Sequence, residues 1–265
     1  MKTLILCGGQ GTRIRDVSEI LRKPMLPIGD RPILWHIMKI YAHYGFKDFV
    51  LCLGYKGWTI KEYFLNYYAN MCDFTVSLHE HDAVRFYDQP HEDWTVTLVN
   101  TGEKTQTGAR IERARRYLLE QDKDDCFAVT YGDGVADVNI KELTEVHRRS
   151  GKLATITGVR PAGRFGEVEV DDKGVVIEFN EKPNVCAGLI NGGFMVFSKE
   201  VLKKYFSDNE DLILERDVLP KLVMDRQMNL YEHDGFWQCI DTFREYADLN
   251  EIWKQGKAPW KIWKK

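Results

Sequence analysis

The chain opens on a short apolar run, Thr3 to Leu6, which ends at Gly8 and Gly9 and reads as a strand. Apolar residues then recur at Ile33, Leu34, Ile37, Met38, Ile40, Tyr41 and Tyr44. That is helical spacing, with Pro32 suited to the first turn and Gly45 to the stop. Asp48 to Leu53 is a continuous apolar run, which predicts a strand covered on both faces. A helix over roughly Thr59 to Ala69 turns Ile60, Tyr63, Phe64 and Tyr67 to the core. Thr95 to Val99 and Ala109 to Glu120 repeat strand and helix, and Asp125 to Tyr131 is the next buried strand. This alternation predicts a right-handed, parallel α/β sheet flanked by helices.

The pattern changes after residue 152. Shorter β-rich runs follow at Ala154 to Val159, Glu167 to Val170, Val175 to Glu181 and Leu189 to Phe197. They predict a mixed, β-rich extension that covers one rim of the sheet. No linker, low-complexity tract or internal repeat separates it, so residues 1–265 read as one domain with parts 1–151 and 152–265. Leu214 to Met224 has an amphipathic helical spacing despite Pro220, and Phe236 to Asp241 is a strand that ends on a carboxylate.

Composition narrows the classes of partner. The 265 residues are 44% apolar with a formal charge of −3, which gives no basic surplus for nucleic acid. The arginines from Arg110 to Arg116 read as one solvated helix face, with Arg110 set apart. No stretch of membrane-spanning length is apolar throughout, and the first residues lack a signal-peptide core, so a soluble cytoplasmic protein is expected. The six cysteines are scattered without a C-x-x-C pair, which argues against a disulfide framework or a zinc site. His79-Glu80-His81 puts two imidazoles on one strand face without a third ligand at metal spacing.

The densest chemistry is Leu6-Cys7-Gly8-Gly9-Gln10-Gly11-Thr12-Arg13. Glycines after a strand let backbone N–H groups approach and face phosphate oxygens. Arg13 adds a planar cationic fork, and Lys23-Pro24 a second cation on a stiffened segment. No Gly-Lys-Ser/Thr follows the glycines, and Ile14 stands where Gly-x-Gly-x-x-Gly needs its last glycine. A glycine turn alone is also an ordinary turn; the two spaced cations point to an anionic ligand. Asp133 ends the Asp125 to Tyr131 run, on the rim where ligands collect in open α/β sheets. Taken singly, Asp133 and Asp241 also read as turn residues.

Gly8-Gly9-x-Gly11-Thr12-Arg13 followed by Lys23-Pro24 resembles the signature of the sugar-nucleotide pyrophosphorylases, a nucleotidyltransferase family. The likeness continues in order through Arg31 to Lys39, Gly54 to Gly57, Thr130 to Asp137, Gly163 to Gly166, Glu181 to Pro183, Asn191 to Phe194 and Gly256 to Lys261. It is strongest to the cytidylyl-transferring members. The resemblance implies a Rossmann-like, mixed and mostly parallel sheet of the nucleotide-diphospho-sugar transferase type, with 1–151 binding nucleotide and 152–265 binding sugar. It implies CTP and glucose 1-phosphate as substrates, Mg²⁺ as cofactor, a homo-oligomer, and a place in CDP-linked sugar synthesis for O-antigen lipopolysaccharide. By the same resemblance Arg13 and Lys23 are catalytic. Leu6, Gly8, Gly9, Gly11, Thr12, Thr107, Gly108, Arg110 and Asp133 join them against the nucleotide. Tyr131, Gly166, Glu181, Lys182, Asn191 and Gly192 hold the sugar phosphate, and Asp133 with Asp241 holds the metal. Cys7, Gln10, Asp30 and Ala109 depart from the family pattern, three of them beside the nucleotide loops. Base choice therefore stays open between CTP, UTP and dTTP, and a non-catalytic sensor of the same fold is the rival from another class.

Overall fold

A computed structural model describes residues 1–9, 22–79, 83–88, 92–120, 123–161, 167–170, 172, 175–180 and 188–263. A seven-stranded sheet runs through it. Its strands are β1 (Thr3–Leu6), β2 (Asp48–Leu53), β3 (Thr95–Asn100), β4 (Cys126–Tyr131), β5 (Ala154–Val159), β6 (Ile190–Ser198) and β7 (Met228–His233). The order across the sheet is β7-β5-β6-β4-β1-β2-β3. β6 alone runs against its neighbours; every other pairing is parallel.

Successive side chains of a strand face opposite ways, so Thr3–Leu6 and Asp48–Leu53, covered on both faces, carry nearly unbroken apolar runs. Ile5, Phe49, Leu51 and Leu53 face one core cluster together with Ile33, Leu34, Ile37 and Tyr41 of helix α1 (Ile33–His43). Leu4, Leu6, Val50 and Cys52 face the opposite cluster with Ala109, Ile111, Ala114 and Leu118. These four belong to the helix following β3; with α2 (Trp58–Leu65) between, it is α3 (Thr107–Leu119). Each fully buried Ile, Leu or Phe contributes roughly 1.5–3 kcal/mol, so truncating Phe49 or Leu51 would open the core between β2 and α1.

Several elements differ from the periodicity, each for a local reason. The helix expected over 59–69 breaks at Asn66, whose side-chain amide donates back to the Glu62 carbonyl; a separate helix Tyr67–Met71 follows. Leu214–Val218 is a π-helical turn before the α-helix Leu219–Met224, and Pro220 is tolerated because it falls in that helix's first turn. Among the described residues three helices were not anticipated, the single turn Val201–Lys204 and two longer ones. α4 (Ile140–Ser150) is capped by the Asn139 side chain and stops at Gly151 in the left-handed region; α5 (Phe243–Lys254) starts from a Thr242/Glu245 capping box. Three strands from beyond residue 152 join the central sheet itself, while Glu167–Val170 and Val176–Asn180 pair as a separate hairpin. No helix among the described residues is long and apolar enough to cross a membrane.

Candidate active site

The site forms where the carboxyl ends of β1 and β4 lie side by side. Leu6 pairs with Tyr131, and the Gly132 N–H donates to the Leu6 carbonyl at 3.1 Å. The glycine turn thus begins beside Tyr131-Gly132-Asp133. Gly132 is needed there: a Cβ would lie 2.9 Å from Pro24 and 3.4 Å from the Cys7 sulfur. The close approach brings the Lys23-Pro24 turn, a 3₁₀ segment Lys23–Met25, against the two strand ends.

Asp133 and Asp241 meet through a second, two-stranded ladder. Gly134–Ala136 pairs antiparallel with Trp237–Cys239, Gly134 lies opposite Cys239, and the Ile240 N–H donates to the Asp133 carbonyl at 2.8 Å. The Lys23 ammonium donates to Asp241 Oδ1 at 2.7 Å and lies 3.4 Å from Asp133 Oδ2. Burial by itself pushes the Lys23 pKa down, but the charges and hydrogen bonds of the two aspartates together outweigh it and lift it above the ordinary lysine value. Burial raises the Asp133 pKa; Lys23 works against that and the Asp241 charge adds to it. Two carboxylates that converge on one ammonium form a hard anionic donor pair aimed at one point, which fits Mg²⁺ completed by water and phosphate oxygens. Among the described residues no group of three or more histidine, cysteine or acidic side chains gathers for a metal.

Two cavities adjoin at this point. The larger, about 470 Å³, is lined by Leu6 to Gly9, Lys23, Pro24, Glu103 to Thr107, Arg110 and Tyr131 to Asp133. The smaller, about 260 Å³, is lined by Tyr131, Asp133, Asn191, Gly192, Trp237 and Asp241 among others. Tyr131 and Asp133 belong to both walls. The β6 strand bulges here, since its register against β5 slips between Ile156 and Gly158. Gly193 takes φ +81°, and a Cβ on it would strike the Tyr131 ring at 2.6 Å. Asn191 Oδ1 accepts the Gly193 N–H, and the Trp237 indole donates to the Gly192 carbonyl at 2.8 Å.

The structure thus gathers Leu6, Gly8, Gly9, Lys23, Thr107, Arg110, Tyr131 and Asp133 at the larger cavity, and Asn191, Gly192 and Asp241 at the smaller. Gly108 lies behind the cleft, where a Cβ would be 2.9 Å from the Leu212 carbonyl. Gly11, Thr12, Arg13, Gly166, Glu181 and Lys182 lie outside the described residues, as do Gln10, Glu80 and His81. Arg110 is 4% exposed and gives its guanidinium to the carbonyls of Gly8, Leu53, Gly102 and Glu103 and to the Thr101 hydroxyl. Cys7 packs into the core, and burial raises its thiol pKa well above the usual value. Sequence reasoning missed the Glu103 to Gln106 stretch, Trp237 and Glu215. The first adjoins Thr107-Gly108 and Trp237 precedes Asp241, so both had a signal; Glu215 had none.

A mostly parallel sheet, a glycine turn at a strand end, and an aspartate pair between two cavities are the geometry of a phosphoryl-group transferase built to hold two anions. The chain belongs to the nucleotidyl transferase family, whose profile matches residues 2–256. Its relatives include the glucose-1-phosphate cytidylyltransferases of Salmonella typhi and Salmonella typhimurium. Each is 44% identical over 263 residues, covering 99% of this chain and 100% of the relative. HddC from Yersinia pseudotuberculosis, solved alone and complexed with GMP-PN, shares the fold at a TM-score of 0.66 and 23% identity, over 95% of this chain and 99% of that one.

Proposed function

We propose that this chain transfers the cytidylyl group of CTP to α-D-glucose 1-phosphate, giving CDP-glucose and pyrophosphate. The observation that carries the reaction type is the pair of adjoining cavities that share Asp133, with Lys23 and Asp241 at the seam. The base and the sugar rest on the full-length likeness to the Salmonella enzymes. A triphosphate in the larger cavity would put its α-phosphorus at the seam, facing a sugar phosphate in the smaller one. An oxygen of the sugar phosphate attacks that phosphorus in line, the new P–O bond forms, and the bond to pyrophosphate breaks on the far side.

The work left to the protein is positioning and charge. Gly8 and Gly9 turn backbone N–H groups to the leaving phosphates, and the family resemblance gives Gly11, Thr12 and Arg13 the same task. Lys23 offers its ammonium to the transferring phosphoryl oxygens, a preorganised charge at a partly buried point. Mg²⁺ held by Asp133 and Asp241 would neutralise the triphosphate where these carboxylates alone would repel it. Asn191, Gly192 and Tyr131 orient the sugar, a role that the family resemblance also gives to Gly166, Glu181 and Lys182. A cytoplasmic homo-oligomer serving surface-polysaccharide synthesis is part of the same reading.

The test crosses the four nucleoside triphosphates with several sugar 1-phosphates and scores pyrophosphate release. CTP with glucose 1-phosphate is expected to give the highest kcat/KM. A higher value with UTP or dTTP would remove the cytidylyl assignment and leave the reaction class; no release with any pair would remove both.

A further inference from the structure

Glu215 lies in the π-helical turn Leu214–Val218, far in sequence from every glycine loop and outside both cavity walls. Its two oxygens are shared between those walls. Oε2 accepts the Thr107 hydroxyl at 2.7 Å, and Thr107 lines the larger cavity. Oε1 accepts the Tyr131 hydroxyl, and Tyr131 lines both cavities. The Thr107 oxygen also accepts the Leu214 N–H at 2.9 Å, so that hydroxyl is held as donor and acceptor at once.

The single phenolic proton of Tyr131 is spent on Glu215, which leaves its oxygen as an acceptor toward the sugar side. Asn191 lines the same smaller cavity and accepts the Gly193 N–H on its Oδ1. Close packing lies beside both hydroxyl residues. Gly108 has no room for a Cβ against Leu212 and Leu214, and Gly193 has none against the Tyr131 ring. A helix insertion that aims one carboxylate between two hydroxyls is a common way for a fold to re-aim a functional side chain.

We propose that Glu215 is a positioning residue that couples the two substrate pockets, so that filling one sets Thr107 or Tyr131 in the place the other ligand needs. The bonds run in one contiguous line, Thr107 to Glu215 to Tyr131, so order gained at one end is order already present at the other. The inference rests on the two-substrate reading above, and it predicts reciprocal tightening without any contact between Glu215 and either ligand. Glu215 is an exposed carboxylate beside a cleft proposed for two anions, and its two hydroxyl donors offset the electrostatic cost there.

The experiment is calorimetry with a non-hydrolysable CTP analogue, with and without saturating glucose 1-phosphate, after wild-type pyrophosphate release has tested the reaction itself. The wild type is expected to bind the analogue about 10-fold more tightly when the sugar phosphate is present. Glu215→Ala should bring that ratio close to one, and Glu215→Gln, which keeps one acceptor oxygen, should retain part of it. Tyr131→Phe cuts the same line from its other side and should match Glu215→Ala, with the double variant no worse. A residue that merely tethers the 212–218 turn would lower thermal stability and leave the ratio alone. An unchanged ratio in Glu215→Ala and Tyr131→Phe, or independent binding of the two ligands to the wild type, overturns the proposal. Active wild type with an unchanged ratio would sink it while leaving the reaction standing.

Discussion

Arg110 separates two ways of serving a nucleotide, by touching it or by building the loop that does. We expect the second. Among the described residues its guanidinium bonds to protein oxygens, three of them at 3.0 Å or less: Thr101 Oγ1, the Gly102 carbonyl and the Gly8 carbonyl. Burial lowers its pKa from the ordinary arginine value, yet so strong a base stays charged. Gly8 and Gly54 are glycines because of it: a Cβ on Gly8 would lie 2.1 Å from the guanidinium carbon, and one on Gly54 2.8 Å from its nitrogens.

Arg110→Ala removes the donor from the buried Gly8 carbonyl and one from the part-buried Gly102 and Glu103 carbonyls, while the Leu53 carbonyl keeps the Thr101 N–H and hydroxyl. At about 1–3 kcal/mol for the buried acceptor and less for the others, with the lost packing of the guanidinium, the expected loss is about 2–4 kcal/mol. For a chain of this size that is a fall in Tm of roughly 10 °C. The KM for CTP should rise with it, because Gly8 is no longer held. Arg110→Lys should recover little, since one ammonium cannot reach acceptors spread over the Gly8, Leu53 and Gly102 carbonyls. Gly54→Ala is the control, for it crowds the same nitrogens and the Gly8 oxygen without removing charge, and it should lower Tm and CTP affinity together. The assays are thermal unfolding and initial rates against CTP. An Arg110→Lys enzyme with wild-type Tm and a CTP KM raised 10-fold or more would refute the reasoning and put the guanidinium on the nucleotide.

Two further outcomes follow from other groups. If Asp133 and Asp241 hold one Mg²⁺, Asp133→Asn and Asp241→Asn should each cut kcat/KM by about 100-fold or more and raise the Mg²⁺ requirement, with the double variant close to either single one; additive losses in a Mg²⁺ titration would show separate roles. His36 and His147 are buried as neutral rings with pKa values pushed down to about 4 by burial. The unfolded chain takes up their protons near 6.5, so the stability they leave intact above that pH is lost as pH falls toward 4, by up to about 3 kcal/mol per imidazole. Denaturant unfolding at pH 7, 5.5 and 4.5 reads it, and a flat profile across that window contradicts the buried neutral rings.

What the sequence made legible follows from how local each cause is. Asp48–Leu53 and Ala154–Val159 are strands with the bounds that their apolar runs suggest, because burial on both faces leaves little room for polar residues. Met228–His233 escaped because it is the outer strand β7, half-exposed along most of its length, and its mixed residues show no period. The insertion of reversed β6 between β4 and β5 is a pairing between distant stretches, and no window of residues carries it. The Lys23, Asp133 and Asp241 cluster was readable as a resemblance to a family motif, while the ladder that brings the aspartates together was not. Arg110 stood out among its neighbouring arginines, yet the direction of its guanidinium depends on glycines at positions 8 and 54 that read as phosphate and turn residues.

The far end of the chain supports the phosphate role proposed for Lys23. Helix α5 touches the site only through its start, where Glu245 Oε2 accepts the N–H groups of Asp241 at 2.7 Å and Thr242 at 2.8 Å. Further along, Asn250 accepts the Gly29 N–H at 3.0 Å and donates to the Pro27 carbonyl at 3.2 Å. Trp253 fills the space over Gly29, whose φ of +65° only a glycine holds without strain and whose missing Cβ would lie 2.2 Å from the indole nitrogen. Behind it, neutral His36 donates from Nε2 to the Ile28 carbonyl and accepts the Trp260 indole at Nδ1. One helix therefore grips the segment that carries Lys23 at one end and the backbone of Asp241 at the other. The spacing between ammonium and carboxylate comes from backbone hydrogen bonds and aromatic packing remote from the charges. An ion pair that had to hold the two segments together could not let go of either partner. Because α5 holds them, the proposed exchange of a carboxylate for a phosphoryl oxygen at Lys23 would not loosen the site, which is the preorganisation that charge stabilisation in a transferase requires.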